Sequence, residues 1–380
     1  SSAASDVYKR QTESPAMLET LAKAGMNIAR LNMSHGDHSS HKSVIDSLKI
    51  LNKNLDHPVG ILLDTQGPEI RTGDIANDLH LKAGDVVSIV VRGTDNVEES
   101  SIQINYEDLI KDTNIGDTIT VDNGLINLQV LEKQDRLMKV KVIDGGLLKS
   151  KRHVNLPGVR VNLPAITEKD KRDIKFGIQN KVDFIALSFV REASDIKSLQ
   201  TLLGEDKRGT KIIAKLEDQE AIKNMQEIIK VSDGVMVARG DLGVEIPFEV
   251  LPRIQRRIIR TCAELGKRSI VATHMLESMI NNPIPTRAEV TDVANAVYEE
   301  ADAIMLSGET TVGKFPVKCV ETLDKIARST ESSRGLRFTD QLIINESKQE
   351  IAKAAVSLAE SISAKAIIVP TRRGRMANRV

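Results

Sequence analysis

The chain has 380 residues, and its 53 basic residues (Lys and Arg) balance 53 acidic ones, which leaves a formal net charge of zero at pH 7. This length is enough for one large α/β barrel together with a further module. A balanced charge provides no overall field that would favour nucleic acid or an acidic membrane surface. Aromatic residues make up 2% of the chain and Trp is absent, which argues against stacking platforms for single-stranded nucleic acid.

The cysteines and the apolar runs indicate the compartment. Cys262 and Cys319 both lie within helical patterns, and two such cysteines are typical of a reducing compartment rather than of a disulfide framework. No apolar run in the sequence approaches the length that spans a bilayer. We therefore expect a soluble cytoplasmic enzyme without a membrane or nucleic-acid partner.

The first eleven residues differ from the rest of the chain. Residues 1–11 lack the apolar core of a secretory signal, and they also lack the apolar alternation of a strand. We interpret them as a non-native N-terminal segment that is foreign to the fold.

Residues 12–72 are predicted to form the first part of a β/α barrel. Ser14 precedes the first helix, and Pro15 occupies a position in the first turn where proline is tolerated. That helix should end at Gly25. The elements that follow are expected to be a strand over 27–31, a helix over 37–55 and a strand over 59–64.

Residues 73–163 show a different pattern, with alternating strands separated by turn residues. Gly145-Gly146 and Pro157-Gly158 mark two of the turns. The expected strands cover 86–91, 118–121, 125–131 and 137–143. A small β domain inserted after a barrel strand explains this change of rhythm.

Residues 164–331 return to alternating strands and helices, and Thr286 with Glu289 has the spacing of a capping box. The strands are expected over 184–188, 211–217, 234–238, 269–273 and 303–306. With the two earlier strands this makes seven, one fewer than a (β/α)8 barrel requires. The missing strand would fall at residues 1–11, so we expect the first barrel strand to be absent.

Residues 332–380 are predicted to be the start of a truncated C-terminal α/β domain. A helix over 351–361 and a strand over 365–369 are expected there, and one helix with one strand cannot bury a core alone. The predicted fold is therefore a TIM barrel with an inserted small β-barrel lid domain and the beginning of a third domain.

Two neighbouring barrel strands each end close to an acid. Glu217 ends one strand, Asp241 follows the next, and one helical stretch lies between them. Adjacent parallel strands present their carboxyl ends at the same rim, so the two carboxylates should lie close together. Two such acids repel unless a cation or a proton lies between them. Lys215 shares the strand face of Glu217, and the set predicts Mg²⁺ or Mn²⁺ shared with a phosphorylated substrate, with a structural salt bridge as the alternative.

The remaining strand ends carry cations and hard oxygen ligands rather than nucleophiles. Gly240 belongs to a glycine-spaced turn whose amides could bind a carboxylate or phosphate, and a plain turn is the alternative. For His35, contact with a phosphate is favoured by its neighbours. The other candidates are Arg30, Asn32, Ser34, Asp64, Thr65, Ser188, Thr273, Ser307 and Glu309.

The segment from Asp64 to Arg71 places an acid, a hydroxyl and an arginine around a rigid bend. Gly67 and Pro68 are residues that a domain hinge needs, but a hinge alone does not explain the charges. We therefore expect this segment to lead into the inserted domain and to contribute to the site.

Seven ordered motifs between Thr12 and Val380 resemble the pyruvate kinase family. Seven motifs in one order are far more specific than any single motif. They cover 29–36, 63–71, 154–158, 214–217, 236–245, 272–279 with 285–289, and 305–310.

The resemblance implies a barrel domain that carries a small β lid, followed by a C-terminal α/β domain. It implies the glycolytic transfer of a phosphoryl group from phosphoenolpyruvate to ADP, which gives pyruvate and ATP. It also implies a homotetramer for the complete protein.

Site roles follow from the resemblance by position. Glu217 and Asp241 would hold the divalent metal, and Arg30 and Lys215 would face the transferring phosphoryl group. The K⁺ ligands would be Asn32, Ser34, Asp64 and Thr65.

Substrate and nucleotide contacts are implied in the same way. The amides of Gly240 and Asp241 would meet the substrate carboxylate, and Thr273 would lie near the enolate methylene. The proton relay behind it would consist of Ser307 and Glu309. The nucleotide contacts would be Asn32, Ser34, His35, Arg71 and Arg152.

Four positions bear on this comparison with the family. Gln66 and Asp218 stand where the family more often has Lys and Asn. Arg152 replaces the usual Lys at a nucleotide contact, which keeps the charge but changes its shape. Glu69 resembles the K⁺-dependent branch of the family.

Two alternatives compete with this assignment. A metal-dependent aldolase or mutase acting on pyruvate or phosphoenolpyruvate also stabilises an enolate in a barrel, but it would not need the inserted domain, the K⁺ ligands or Arg71. The second alternative is an inactive fragment, because a barrel that lacks one strand exposes two strand edges. On that ground we predict that this chain is poorly active and prone to aggregate.

Overall fold

Eight parallel strands close into a barrel in the part of the chain that the structure describes. The computed structural model covers residues 2–6, 12–75, 78–91, 101–204, 209–341 and 347–370. The barrel strands are β1 (Ser2–Asp6), β2 (Met26–Asn32), β3 (Gly60–Asp64), β12 (Phe184–Leu187), β13 (Lys211–Leu216), β14 (Gly234–Ala238), β15 (Arg268–Ala272) and β16 (Ala303–Leu306). Each strand pairs with the next, and β16 pairs with β1, so the ring is complete.

The prediction that the first barrel strand is absent was wrong. Ser2 pairs with Ala303 of β16, and Ala3 pairs with Met26 of β2. The two flanking strands would otherwise each leave a row of backbone N–H and C=O groups unpaired, and a short segment can satisfy these groups through its own backbone. That the segment is non-native remains a prediction, and residues 1 and 7–11 lie outside the described residues.

Helices follow the barrel strands and cover the outside of the ring. Fully buried side chains such as Leu18, Ile45, Ile174, Ile258 and Leu323 belong to this outer core. The helices around the barrel are α1 (Pro15–Lys23), α2 (His38–Leu51), α4 (Glu168–Gln179), α5 (Ala193–Leu203), α6 (Gln219–Lys223), α7 (Met225–Val231), α8 (Arg239–Glu245), α9 (Leu251–Glu264), α10 (Arg287–Tyr298), α11 (Gly308–Thr311) and α12 (Pro316–Glu331).

Local signals explain where several of these helices begin and end. The predicted capping box at Thr286 and Glu289 is present at the start of α10, and Ser14 caps α1 by accepting from the amide of Met17. α2 ends before the predicted limit, and the side chain of Asn52, the residue after its last turn, forms two hydrogen bonds of 2.8 and 2.9 Å with the backbone of Val59.

The inserted domain has its own sheet and its own core. Among the described residues of this domain, six strands form one sheet and two more form an antiparallel pair. The sheet strands are β5 (Val86–Val91), β6 (Ile102–Ile104), β7 (Thr118–Val121), β8 (Ile126–Lys133), β9 (Leu137–Asp144) and β11 (Val154–Asn155), and the pair consists of β4 (Leu79–Leu81) and β10 (Gly146–Leu148). A short helix, α3 (Leu109–Asp112), lies between β6 and β7. We call residues 73–163 the lid, and these limits remain a prediction. The separate core of this domain includes Ile89, Leu128 and Val140.

The interior of the barrel is divided between apolar and polar ends. Leu62, Ile213, Met236, Ile270 and Ala303 pack together inside the ring, and they precede the last residues of their strands. Polar side chains therefore collect at the carboxyl end, where the active sites of such barrels lie.

Among the described residues beyond α12 there is one α-helix, α13 (Ser347–Ser361), which follows a 3-10 turn at Phe338–Gln341. The predicted strand over 365–369 was wrong: these residues form no strand, and Ile368 is 90% exposed. An apolar run becomes a strand only where a neighbour accepts its hydrogen bonds, and no described strand pairs with it. None of the described helices is both long enough and apolar enough to cross a membrane.

Candidate active site

A cluster of buried charged side chains lies at the carboxyl ends of β2, β3 and β13. Nε of Arg30 donates to Oδ2 of Asp64 at 2.6 Å, and Nζ of Lys215 lies 3.2 Å from Oδ1 of the same carboxylate. Lys215 also lies 2.9 Å from Oε1 of Glu217. We call Arg30, Asp64, Lys215 and Glu217 the charged cluster.

Mutual attraction keeps Asp64 and Lys215 of the charged cluster ionised. Burial alone would raise the pKa of Asp64, but the charges of Lys215 and Arg30 outweigh it, and the pKa lies below its usual value. Burial would lower the pKa of Lys215, yet Asp64 and Glu217 raise it above the ordinary lysine value. Two fixed positive charges are therefore maintained in a site that excludes water.

Glu217 and Asp241 lie at the same rim, because β13 and β14 are adjacent and Leu216 pairs with Val237. Burial, opposed by Lys215 and reinforced by the charge of Asp241, raises the pKa of Glu217 to about 7. Burial also raises the pKa of Asp241.

Both oxygens of Glu217 are contacted but keep acceptor capacity. Oε2 accepts from the amide of Phe189 at 2.6 Å, and the buried Oε1 lies 2.9 Å from Nζ of Lys215 in an ion pair without hydrogen-bond geometry. Two neighbouring acids with raised pKa values and remaining acceptor capacity fit a divalent cation. Among the described residues no group of three His, Cys, Asp or Glu side chains could hold a metal, so water or substrate would have to complete the shell.

The four predicted K⁺ ligands lie on the ends of two paired strands. Asn32 is in register with Asp64, and Oδ1 of Asn32 accepts from the amide of Ser34 at 3.0 Å. Oγ1 of Thr65 accepts from the amide of Ser188 at 3.1 Å. The set contains one carboxylate and three neutral oxygen donors, a composition that fits a monovalent cation beside a charged cluster that is already paired.

The loop after β15 brings Thr273 against α8. Oγ1 of Thr273 accepts from the amide of Gly240 at 2.7 Å. Thr273 and His274 have φ values of 69° and 56°, a region that residues with a Cβ rarely adopt. Such backbone strain is concentrated at functional sites, where the surroundings enforce it.

Ser307 and Glu309 occupy the segment that follows β16. Oγ of Ser307 is buried and has no hydrogen-bond partner among the described residues. The two carboxylate oxygens of Glu309 accept from the amides of Leu276 and Ser307 at 3.0 and 2.8 Å. Glu309 thus ties the segments that follow β15 and β16 together.

The predicted nucleotide contacts fall into two groups, one on the lid side and one on the barrel side of the hinge at Gly67 and Pro68. Arg71 donates to Glu69 at 2.6 Å, and its backbone forms a bridge with His153, which places it beside Arg152 at the base of the lid. Nη1 of Arg152 lies 3.4 Å from Asp122 of the lid. Asn32, Ser34 and the exposed His35 belong to the barrel side.

The hinge requires glycine at position 67. Its φ is +72°, and a Cβ there would lie 2.7 Å from the ring of Phe189 and 2.9 Å from Cβ of Ser188. The chain therefore passes from the barrel into the lid through a position that admits no side chain.

The model of the pyruvate kinase barrel domain matches residues 8–320 of this chain. The chain belongs to the pyruvate kinase family. It is 46% identical over 376 residues to a pyruvate kinase of Staphylococcus epidermidis and 45% identical to one of Staphylococcus aureus. These alignments cover 97% of this chain and 64% of each relative, so the chain spans less than two thirds of the length of these curated relatives.

Two departures from the pyruvate kinase family pattern have local structural tasks. Asp218 caps α6 by accepting from the amide of Ala221 at 2.7 Å, and burial raises its pKa to about 6. Nε2 of Gln66 donates to Glu69 at 2.9 Å, the acid that also holds Arg71.

The structure places three residues in this candidate site to which the sequence patterns assign no role. The ring of His153 on the lid lies 6.3 Å from the ring of Phe189, and its Nδ1 lies 4.0 Å from Asp241. The guanidinium of Arg239 is buried behind Thr273. Arg239 could have been found from its position between the end of a strand and the glycine turn. His153 and Phe189 belong to no sequence pattern that would have identified them.

Proposed function

We propose that this protein transfers the phosphoryl group of phosphoenolpyruvate to ADP, which gives pyruvate and ATP, as a cytoplasmic enzyme of glycolysis. The observation that carries the proposal is the charged cluster, in which Asp64 contacts the cations Lys215 and Arg30 and Glu217 contacts Lys215. Glu217 also lies at the same rim as Asp241, and this pair of acids is suited to a divalent ion. Phosphoryl transfer requires neutralisation of negative charge on in-line oxygens more than it requires a protein nucleophile.

Lys215 and Arg30 would bind and orient the phosphoryl group. Both cations are held by Asp64, so they need no reorganisation when negative charge develops on the transferring oxygens. Their burial strengthens the interaction, because few water dipoles remain to screen it.

Glu217 and Asp241 would hold Mg²⁺ or Mn²⁺, and Asn32, Ser34, Asp64 and Thr65 would hold K⁺. When bound, these ions would supply further positive charge that neutralises the phosphoryl and enolate oxygens. The raised pKa of Glu217 implies that the acid pair keeps a proton in the absence of a cation.

Thr273 would lie at the proton-transfer end of the site. The amides of Gly240 and Asp241, at the start of α8, would bind the substrate carboxylate, and the Gly240 amide would share its proton between that carboxylate and the Thr273 hydroxyl that it contacts. Ser307, whose hydroxyl is buried without a described partner, would accept or deliver a proton behind Thr273. Glu309 would hold the Ser307 segment in place through its two backbone contacts.

ADP would lie between the two groups of nucleotide contacts. Arg71 and Arg152 at the base of the lid would face its phosphates, and Asn32, Ser34 and His35 would approach from the barrel. Closing of the lid would exclude water from the transferring group. We further propose that the complete protein assembles as a homotetramer.

A pair of assays tests the reaction. Pyruvate formation from phosphoenolpyruvate and ADP is measured beside aldol formation from pyruvate and an aldehyde, both with Mg²⁺ and K⁺ present. We expect turnover only in the first assay. Turnover in the aldol assay alone would show that the protein is an aldolase and not a kinase. No turnover in either assay would favour an inactive fragment.

The metal assignment has its own test. Glu217→Gln removes one anionic ligand of the proposed divalent cation. It should lower kcat by several orders of magnitude, since losing that cation removes positive charge from the reacting oxygens, and losing even one neutral donor there costs about 10²–10³. Glu227→Gln on the exposed face of α7 is the matched control and should leave kcat unchanged. Near-normal turnover by Glu217→Gln would remove the metal assignment.

A further inference from the structure

The loop that follows β15 adopts a conformation that its own sequence does not favour. Thr273 is β-branched, and with His274 it forms two consecutive positive-φ residues. β-Branched residues are genuine outliers in this region, because Cβ approaches the backbone carbonyl too closely. Contacts from outside the loop must therefore hold it.

The guanidinium of Arg239 supplies these contacts from the adjacent strand end. Nη2 donates to the carbonyl of Thr273 at 2.6 Å, and Nε lies 3.2 Å from the same oxygen and 3.3 Å from the carbonyl of Ala272. Nη2 also lies 2.8 Å from Sδ of Met275. One planar cation thus contacts the loop on both sides of its strained residues.

The same guanidinium is anchored on its far side. Nη1 donates to Asp292 of α10 at 2.8 Å and lies 3.4 Å from Oε1 of Gln255 on α9. Gln255 in turn donates to the fully buried Glu299 at 2.9 Å. Arg239 therefore connects the loop to two helices of the outer ring, which a shorter or single-donor side chain could not do.

Thr273 is held at two atoms by consecutive residues. Arg239 contacts its carbonyl, and the amide of Gly240 donates to its hydroxyl. We propose that Arg239 is a positioning residue that fixes the Thr273 hydroxyl at the proton-transfer end of the site. This inference rests on the proposed function, because it assigns a chemical consequence to the position of that hydroxyl.

The first experiment is a double-mutant cycle between Arg239→Met and Thr273→Val. Each single change should lower kcat about 10²-fold, the loss expected when a reacting group is misplaced by about 1 Å. The double variant should be no slower than Thr273→Val alone, because Arg239 acts through Thr273. Additive losses would overturn the inference.

The second readout separates positioning from general damage. KM for ADP should stay unchanged in Arg239→Met, since the proposed nucleotide contacts lie on other elements. Arg256→Met is the matched control, because Arg256 pairs with Glu299 at 3.0 Å in the same network but has no contact with Thr273; it should keep normal kcat. A rise in KM for ADP equal to the fall in kcat would contradict the inference.

A conservative variant covers the case in which Arg239→Met does not fold. Arg239→Lys keeps a cation for Asp292 but cannot contact both Asp292 and the Thr273 carbonyl. We expect about a tenfold loss of kcat with normal circular dichroism. A folded Arg239→Lys with normal kcat would overturn the inference.

A structural readout distinguishes failure of this inference from failure of the proposed function. The methyl NMR signal of Thr273 should shift in Arg239→Lys, whereas that of Thr330 on α12 should not. If the wild type has no kinase activity but Arg239→Lys still shows this shift, the proposed function is refuted and the positioning of Thr273 by Arg239 is retained. If the wild type is active and the variant shows no shift, the positioning role of Arg239 alone is refuted.

Discussion

The two sides of the active site bury acids in opposite ways. At the ends of β2, β3 and β13, Asp64 lies between two cations, and its pKa falls below the ordinary value. In the segments after β14 and β16, the hydrogen-bond partners of Glu245 and Glu309 among the described residues are neutral groups. Burial raises the pKa of Glu245 to about 7. Burial alone thus does not determine the charge of a site; the partners within a few ångströms do.

The largest effect is expected at Lys215, the cation that joins both acids of the charged cluster. Lys215→Met should reduce kcat by about 10³–10⁵, the range measured for a single cation that stabilises a transferring phosphoryl group. Steady-state assays with phosphoenolpyruvate and ADP measure it. Lys211→Met is the matched control, because Lys211 begins the same strand but is mostly exposed. Equal losses in the two variants would show that the charged cluster has no special role.

Asp64→Asn should have the largest effect on folding. It leaves Arg30 and Lys215 buried side by side without their acid, which costs about 3–5 kcal/mol. Because the pKa of Asp64 is lowered in the folded state, its ionised carboxylate stabilises the wild type above pH 3.8. This stabilisation is lost as pH falls through the folded pKa. Urea denaturation at pH 7 measures the change, and Asp46→Asn at a half-exposed pair on α2 should cost less than about 1 kcal/mol. A similar loss in both would contradict the comparison.

Glu245→Gln should raise the free energy of unfolding, in contrast to Asp64→Asn, which should lower it. Asn155 of the lid donates to Glu245 at 3.1 Å, and an amide oxygen can accept the same bond. The folded pKa of about 7 exceeds the ordinary 4.5, so the wild type loses stability as pH rises from 4.5 through 7. The variant should therefore match the wild type near pH 4.5 and exceed it by up to about 3 kcal/mol at pH 8, since one pKa unit is worth about 1.4 kcal/mol.

Thermal or urea melts of Glu245→Gln at several pH values provide this measurement. Glu249→Gln, at an exposed position nearby, is the control and should show no such divergence. A constant difference between wild type and Glu245→Gln across the pH range would mean that Glu245 does not titrate in this window.

The smallest effect is expected at Glu309. Glu309→Gln keeps one acceptor but places an NH₂ group against the other backbone amide, so one buried N–H loses its partner at a cost of about 1–3 kcal/mol. Denaturant titration should detect this loss, while Glu321→Gln on the exposed face of α12 should be neutral. A stability above that of the wild type would show that the two amides have other acceptors.

Local patterns predicted the charged side of the site better than the strained side. Lys215 and Glu217 could be placed on one strand face because alternate residues share a side, and the capping box at Thr286 and Glu289 depends on neighbouring residues alone. The backbone conformation of Thr273 depends on its contact with Arg239, a residue 34 positions away in the chain. A single sequence carries no periodic signal for a contact over that distance.

The same distinction explains the errors at the two ends of the chain. β1 depends on the unpaired edges of β2 and β16 rather than on its own composition, so its absence was wrongly predicted. The run over 365–369 has the composition of a strand but no described partner. Pairing decides both cases, and pairing is a property of the assembled fold.

Phe189 relates the hinge of the lid to the acid proposed to hold the divalent ion. Its ring borders Gly67 and lies 6.3 Å from the ring of His153, while its amide orients Glu217. A rotation of the lid about Gly67 that moved this ring would also move the amide, so the affinity for a divalent ion would change with lid angle. By thermodynamic reciprocity, ion binding would then shift the equilibrium between open and closed forms by the same free energy.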